Sequence, residues 1–177
     1  MLNIFSKSRH RGFSLVELMV GIAIMGVVLA LVSPSYKVWV QNTQIRNAAE
    51  SITNGLQKAK AEAVARNTNV AFVLGANSSW VISVVADGSV IESRSANEGS
   101  RNVTRTVLPL GATTITFNNF GAVVANADAS ATPTRVDLDS SVLTPAQSAD
   151  LRVTVGVGGN ARMCDPNLAS GSSPRAC

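Results

Sequence analysis

Between Phe13 and Val32 the chain carries twenty residues with one charge among them, Glu17. As a helix this run is roughly 30 Å long, enough to cross the hydrocarbon core of a bilayer. Pro34 follows it; a proline lacks an amide donor and crowds the preceding turn, so a kink or loosening is expected there. The pattern then becomes amphipathic. Ile45, Ala49, Ile52, Leu56, Ala59 and Ala63 recur at spacings of three and four, which puts one apolar stripe on a helix. Arg46 with Glu50, and Lys58 with Glu62, stand four residues apart on the wetter side and are expected to pair. The stripe is short and rich in alanine, so it reads as a face that packs on a sheet rather than a coiled-coil seam.

After Asn67 the period changes. "NVAFVL", "WVISVVA", "SVIESR", "VTRTVL", "TTITF", "RVDLD" and "LRVTVGV" are short, rich in β-branched residues and separated by turn formers. Asp87-Gly88 between Val85 and Val90 is a hairpin signal. Residues 125–133 and 140–150 read as loops. These elements predict an α+β chain, a long N-terminal helix lying against an antiparallel sheet.

The 177 residues leave room for one domain and an appendage. Lys7, Arg9 and Arg11 precede the apolar run, a bias that places the N-terminus in the cytoplasm and the remainder outside. Loss of those three residues reduces the basic count from 15 to 12 against 11 acidic residues, a net of +1, so the +4 of the whole chain does not signal a polyanion partner. The apolar run is too long for a secretory signal, and no Ala-x-Ala site follows it.

Glu17 is what a plain anchor does not explain. A carboxylate inside a lipid-facing helix costs about 2.5–3.5 kcal/mol on insertion scales, and the helix holds no basic residue to pair with it. Cleavage after Gly12 would create an α-amino group at Phe13, and that amine on one subunit could pair with Glu17 of a neighbour. The head offers little for catalysis. The only histidine, His10, precedes the apolar run, which leaves no base for a serine or cysteine nucleophile. Asp137 and Asp139 could share a strand face, but two alternating acids are ordinary on a solvated strand. "GVGG" near residue 157 opens no helix and is not a phosphate cradle. No catalytic residue, cofactor or metal is expected. Cys164 and Cys177 are expected to close the C-terminal tail as a disulfide outside the cytoplasm; zinc would need further ligands that the sequence does not supply.

"RGFSLVELMVGIAIMGVVLALVSPSY" resembles the class III signal of type IV pilins and type II secretion pseudopilins, with its Gly-Phe-[Ser/Thr]-Leu-x-Glu start. "LQKAKAEAVARNTNVAFV", "ITFNNFG" and "VTVGVGGNARMCDP" resemble the helix-to-strand junction, a later strand and the last strand and loop of the GspH/FimT (FimU) group of minor pilins and pseudopilins. The resemblance implies a type IV pilin-like fold and three segments. Residues 1–12 would be a cytoplasmic leader cut by a prepilin peptidase, residues 13–34 a transmembrane and filament-core helix, and residues 35–177 an amphipathic helix with a periplasmic head. It makes Gly12 the cleavage position, Phe13 the N-methylated residue and Glu17 the assembly residue. The implied partners are the peptidase, other minor and major pilins or pseudopilins, and inner-membrane lipid. The implied role is a structural subunit at or near a filament tip that primes assembly, with pilus and secretion pseudopilus both open. Some proteins that resemble this group bind DNA for uptake through a Gly-Arg-x-Arg stretch near the C-terminus. Gly159 and Arg162 match that stretch, and Asn160 stands where its first arginine would be. DNA binding through Arg162, helped by Arg152 and Arg175, is therefore the alternative.

Overall fold

The computed structural model describes residues 12–177; Lys7, Arg9, His10 and Arg11 lie outside the described residues. Among the described residues one helix, α1, runs from Leu15 to Arg66, and nine strands follow. The chain divides into two compact units, residues 1–37 and 38–177.

In the first unit the stretch Leu15–Val32 is long and apolar enough to span a membrane, and none of it is buried within the molecule. Leu15 and Leu31 are each 74% exposed. Side chains this apolar hold such exposure only where something other than water covers them.

The second unit is the head, and its core forms around the expected stripe. Ile45, Ala49, Ile52, Ala59 and Ala63 are fully buried and Leu56 nearly so, with Ala48 alongside. The strands are β1 (Val70–Leu74), β2 (Trp80–Val84), β3 (Val90–Arg94), β4 (Val103–Leu108), β5 (Thr114–Phe117), β6 (Val123–Val124), β7 (Arg135–Ser140), β8 (Leu151–Val155) and β9 (Ala161–Cys164). They form two antiparallel sheets rather than one, in the orders β3-β2-β1-β5-β6 and β4-β7-β8-β9. Alternation turns Val70, Phe72, Leu74, Trp80, Ile82, Ile115 and Phe117 of the first sheet inward. Val103, Val136, Leu138, Val153 and Val155 of the second join the same cluster, so a single core under α1 holds both sheets.

Gly55 sets how closely α1 approaches the first sheet. A Cβ there would lie 2.7 Å from a ring carbon of Phe72 and 3.1 Å from the Trp80 indole. One turn earlier, Ser51 accepts a 2.8 Å hydrogen bond from the Trp80 indole N–H, satisfying that buried donor.

The two sheets meet at the tips of their hairpins. The Val123 amide donates to the Val157 carbonyl, joining the β5–β6 and β8–β9 hairpins. Gly159 sits at φ +73°, where a Cβ would fall 2.2 Å from the Gly121 carbonyl oxygen. Only glycine satisfies both the left-handed backbone and that approach. The Lys60 ammonium fastens the joint from the helix by donating to the Gly158 carbonyl and to Asn160 Oδ1.

Of the two expected helix pairs, one is replaced and the other does not form. Lys58 reaches across to Glu92 on β3 instead of to Glu62, and Glu62 pairs with Arg66 at 2.7 Å. Among the described residues Arg46 makes no ion pair with Glu50. Packing α1 on the sheet brings an acid from another element closer to Lys58 than the acid one turn along, and a local spacing rule cannot register that.

Candidate functional site

The candidate site is the start of α1. Ser14 caps the helix. Its hydroxyl accepts a 3.2 Å hydrogen bond from the Glu17 amide, and its carbonyl accepts the first helical bond, from Leu18. Ser14-Leu15-Val16-Glu17 has the Ser-x-x-Glu spacing of a capping box, and the serine half of that box is formed. Gly12 and Phe13 lie ahead of the cap with no regular structure, and Phe13 is 84% exposed. The Gly12–Phe13 peptide bond therefore lies outside the helix, in an exposed segment.

Glu17 sits in the first turn, where helix amides point their positive ends outward. Its carboxylate forms no ion pair among the described residues. It stands on one face with Phe13, Leu18, Gly21, Ile22 and Met25, a shallow apolar surface open on the outside. The carboxylate is thus the one charged group on an otherwise apolar surface, one turn from Phe13.

At the other end of the chain the expected disulfide is present between Cys164 and Cys177. It holds residues 165–177 against the end of β9, where Asp165 and Ala176 bridge. The three arginines considered for DNA each have a structural partner. Arg152 contacts Asp137 at 2.5 Å, and Asp137 also takes Arg135. Arg162 donates to the Pro174 and Ala176 carbonyls, which ties the tail down. Arg175 faces Asp165 at 3.8 Å. Asn160, at the departure from the Gly-Arg-x-Arg pattern, accepts from Lys60, a role an arginine could not take.

Reducing the disulfide should release the tail. A closed loop of this size is worth about 3 kcal/mol on the chain-entropy account. Reduced protein should unfold at lower denaturant and be cut by trypsin after Arg175 much faster than oxidised protein, with the strands up to β8 resisting longer.

Asp137 and Asp139 do not gather a metal set; no cluster of three metal-ligating side chains exists among the described residues. Asp139 instead accepts from the Ser140 amide and the Ser148 hydroxyl, at 2.5 and 2.6 Å. Burial pushes its pKa up, but hydrogen bonds from Ser148, Asp150 and Ser140 outweigh that and leave it below the usual carboxylate range. Asp150 moves the other way, raised by burial and by its contact with Asp139. A carboxyl raised in the folded state contributes stability when protonated and loses it as pH rises through the raised value. Asp150→Asn should therefore stabilise the head at pH 7 and be close to neutral near pH 3, as read from urea unfolding at the two pH values.

The family model described as type II transport protein GspH matches residues 48–159, more than half of the chain. The prokaryotic N-terminal methylation motif matches residues 7–33. No curated protein matches the sequence. Among solved structures the chain is similar to a crystal structure of the type IV minor pilin FimU from Pseudomonas aeruginosa (strain PAO1), in space group P21. The identity is 19% and the TM-score 0.53, over 78% of this chain and 98% of that one. A second crystal form of the same pilin, P65, aligns at 18% identity and a TM-score of 0.49 over 75% and 98% of the two chains. The first likeness bears on the fold: a long N-terminal helix followed by antiparallel sheets.

Proposed function

The chain belongs to the GspH family of minor pilins and pseudopilins and carries the N-terminal methylation motif, and from that premise we propose that it is a structural subunit at or near the tip of a type IV pilus or type II secretion pseudopilus, where it primes filament assembly. Residues 1–12 are the leader, cytoplasmic and removed by the prepilin peptidase. Phe13 becomes the methylated N-terminus. Residues 13–34 hold the subunit in the inner membrane and later join the filament core, while residues 35–177 carry the head in the periplasm. Glu17 finds its counter-charge on the N-terminal amine of a neighbouring subunit. The role is mechanical, with no cofactor.

The observation that carries this reading is the exposed carboxylate of Glu17 on an otherwise apolar helix face, one turn from an exposed Gly12–Phe13 bond. A plain membrane anchor needs neither. DNA binding finds less support, because Arg152, Arg162 and Arg175 already hold Asp137, the tail carbonyls and Asp165.

The test is processing. Peptidase-positive cells should yield protein beginning at methylated Phe13, as read by intact mass. Gly12→Ala should leave nearly all of the protein as the uncut precursor, because the extra methyl group occupies the substrate position nearest the scissile bond. Wild-type protein that still begins at Met1 in such cells would overturn the reading.

A further inference from the structure

The edges of the two sheets are not alike. β6 is two residues long and lies against the Val157 carbonyl, and β3 is joined to β2 through a bulge at Ile82 and Ser83. β9 ends at the disulfide, where the tail bridges Asp165 to Ala176. β4 has none of these protections. Its six residues pair with β7 in unbroken register, and it contains neither proline nor lysine. Long, flat edges of this kind accept further strands unless something prevents it.

The direction of the unpaired groups follows from the ladder. The Ser141 amide donates to the Asn102 carbonyl, and the Val155 amide donates to the Thr134 carbonyl on the far side of β7. With the register Val103↔Ser140, these bonds assign Thr104, Thr106 and Leu108 to the β7 side. The N–H and C=O groups of Arg105 and Val107 therefore point to the open side, where no strand of the described residues pairs with them.

Arg105 adds a chemical preference. It shares the inward face of β4 with Val103 and Val107, and its guanidinium Nη1 is buried with no hydrogen-bond partner among the described residues. Burial lowers its pKa, the mark of a cation without a compensating charge. An antiparallel β4–β4 pairing of two copies would set the two Arg105 side chains opposite or diagonal to each other, and like charges so placed are destabilising.

We propose that the open edge of β4 takes an extended strand from a different subunit of the same filament, and that a carboxylate side chain on that strand meets the Arg105 guanidinium. Main-chain bonds from Arg105 and Val107 provide the attachment, and the carboxylate selects the partner. This rests on the protein being a filament subunit.

The test places photoreactive p-benzoylphenylalanine at Thr106 in the full-length protein, in cells that assemble the filament, and maps the crosslink by mass spectrometry. The expected adduct joins Thr106 to an extended segment of another subunit that carries an aspartate or glutamate. Val107→Pro removes one outward amide and leaves the β7 side intact, so it should lower the adduct about tenfold. Arg105→Glu should lower it similarly, and exchanging the partner's acid for lysine should restore it. Arg105→Gln, which removes the charge but keeps a polar, hydrogen-bonding side chain, should give an intermediate loss and guards against misfolding of the proline variant. The proposal is overturned by an adduct only with a second copy, by an adduct indifferent to both Val107→Pro and Arg105→Glu, or by filaments that contain the protein and yield no adduct. Protein that is never cleaved and never enters filaments would instead overturn the subunit reading, and this inference with it.

Discussion

Glu17→Ala is expected to insert into the membrane normally, be cleaved after Gly12, and yet be recovered from sheared filaments at a tenth of the wild-type amount or less. Insertion should if anything become easier, since the substitution removes a carboxylate that costs about 2.5–3.5 kcal/mol in hydrocarbon. The loss falls on assembly, because the N-terminal amine of the neighbouring subunit would then enter the apolar filament core without a counter-charge. Leaving one member of a buried pair alone costs about 3–5 kcal/mol, ample for a tenfold change. Two measurements separate this from a trivial defect. Membrane fractionation should show unchanged amounts of protein, and intact mass should show the processed form. Glu17→Asp keeps the charge but shortens the reach, and should recover part of the incorporation. Ser14 enters as a control. Ser14→Ala removes the cap from the helix that carries Glu17, at a cost of about 1 kcal/mol, and should weaken incorporation far less. Equal recovery of Glu17→Ala and wild type would remove the carboxylate from the assembly step.

The largest expected effect on the head comes from Gly55. In an exposed helix, glycine to alanine gains about 0.5–1 kcal/mol. Here the sign reverses. The added methyl group would lie 2.7 Å from Phe72 and 3.1 Å from Trp80, two rings in contact with centroids 5.5 Å apart. Overpacking of a rigid core costs about 1–3 kcal/mol, so Gly55→Ala should lower the Tm of the head by several degrees. Gly55→Val should prevent folding at growth temperature. Circular dichroism melts of the purified full-length protein in detergent would show this as a loss of the β-sheet transition, with the helical signal of residues 15–32 retained. A Gly55→Ala protein as stable as wild type would mean that α1 does not approach the sheet this closely.

Features that depend on near neighbours in the chain were legible in the sequence. The apolar run from Phe13 to Val32 follows from its unbroken apolarity, the stripe from Ile45 to Ala63 from its spacing, and seven of the nine strands among the described residues from β-branched runs between turn formers. The Asp87-Gly88 turn was legible too: Gly88 adopts φ +71°, and the Asp87 carboxylate accepts from the Ser89 amide and hydroxyl. The missing parts were non-local. Val123–Val124 is too short to show an alternation, and it is a strand only because β5 pairs with it. "GVGGNARMC" concealed a hairpin, since β9 alternates weakly and is defined by its partner β8. The division into two sheets depends on which edges hydrogen-bond, and no single strand records that. The i,i+4 rule pairs Lys58 with Glu62, whereas tertiary packing supplies Glu92 from β3. At the candidate site the Ser14 cap is legible as Ser-x-x-Glu, a spacing that sets a hydroxyl acceptor three residues ahead of the Glu17 amide.

The clasp of Gly121, Gly159 and Lys60 bears on how the protein can be handled. An epitope or fluorophore inserted at either hairpin tip would pry the sheets apart where the Val123 amide meets the Val157 carbonyl, so loss of signal there would report damage rather than location. The Asp87-Gly88 turn has empty space around it, with nothing within 4 Å of a Cβ built at Gly88. That is where a label for imaging these subunits belongs.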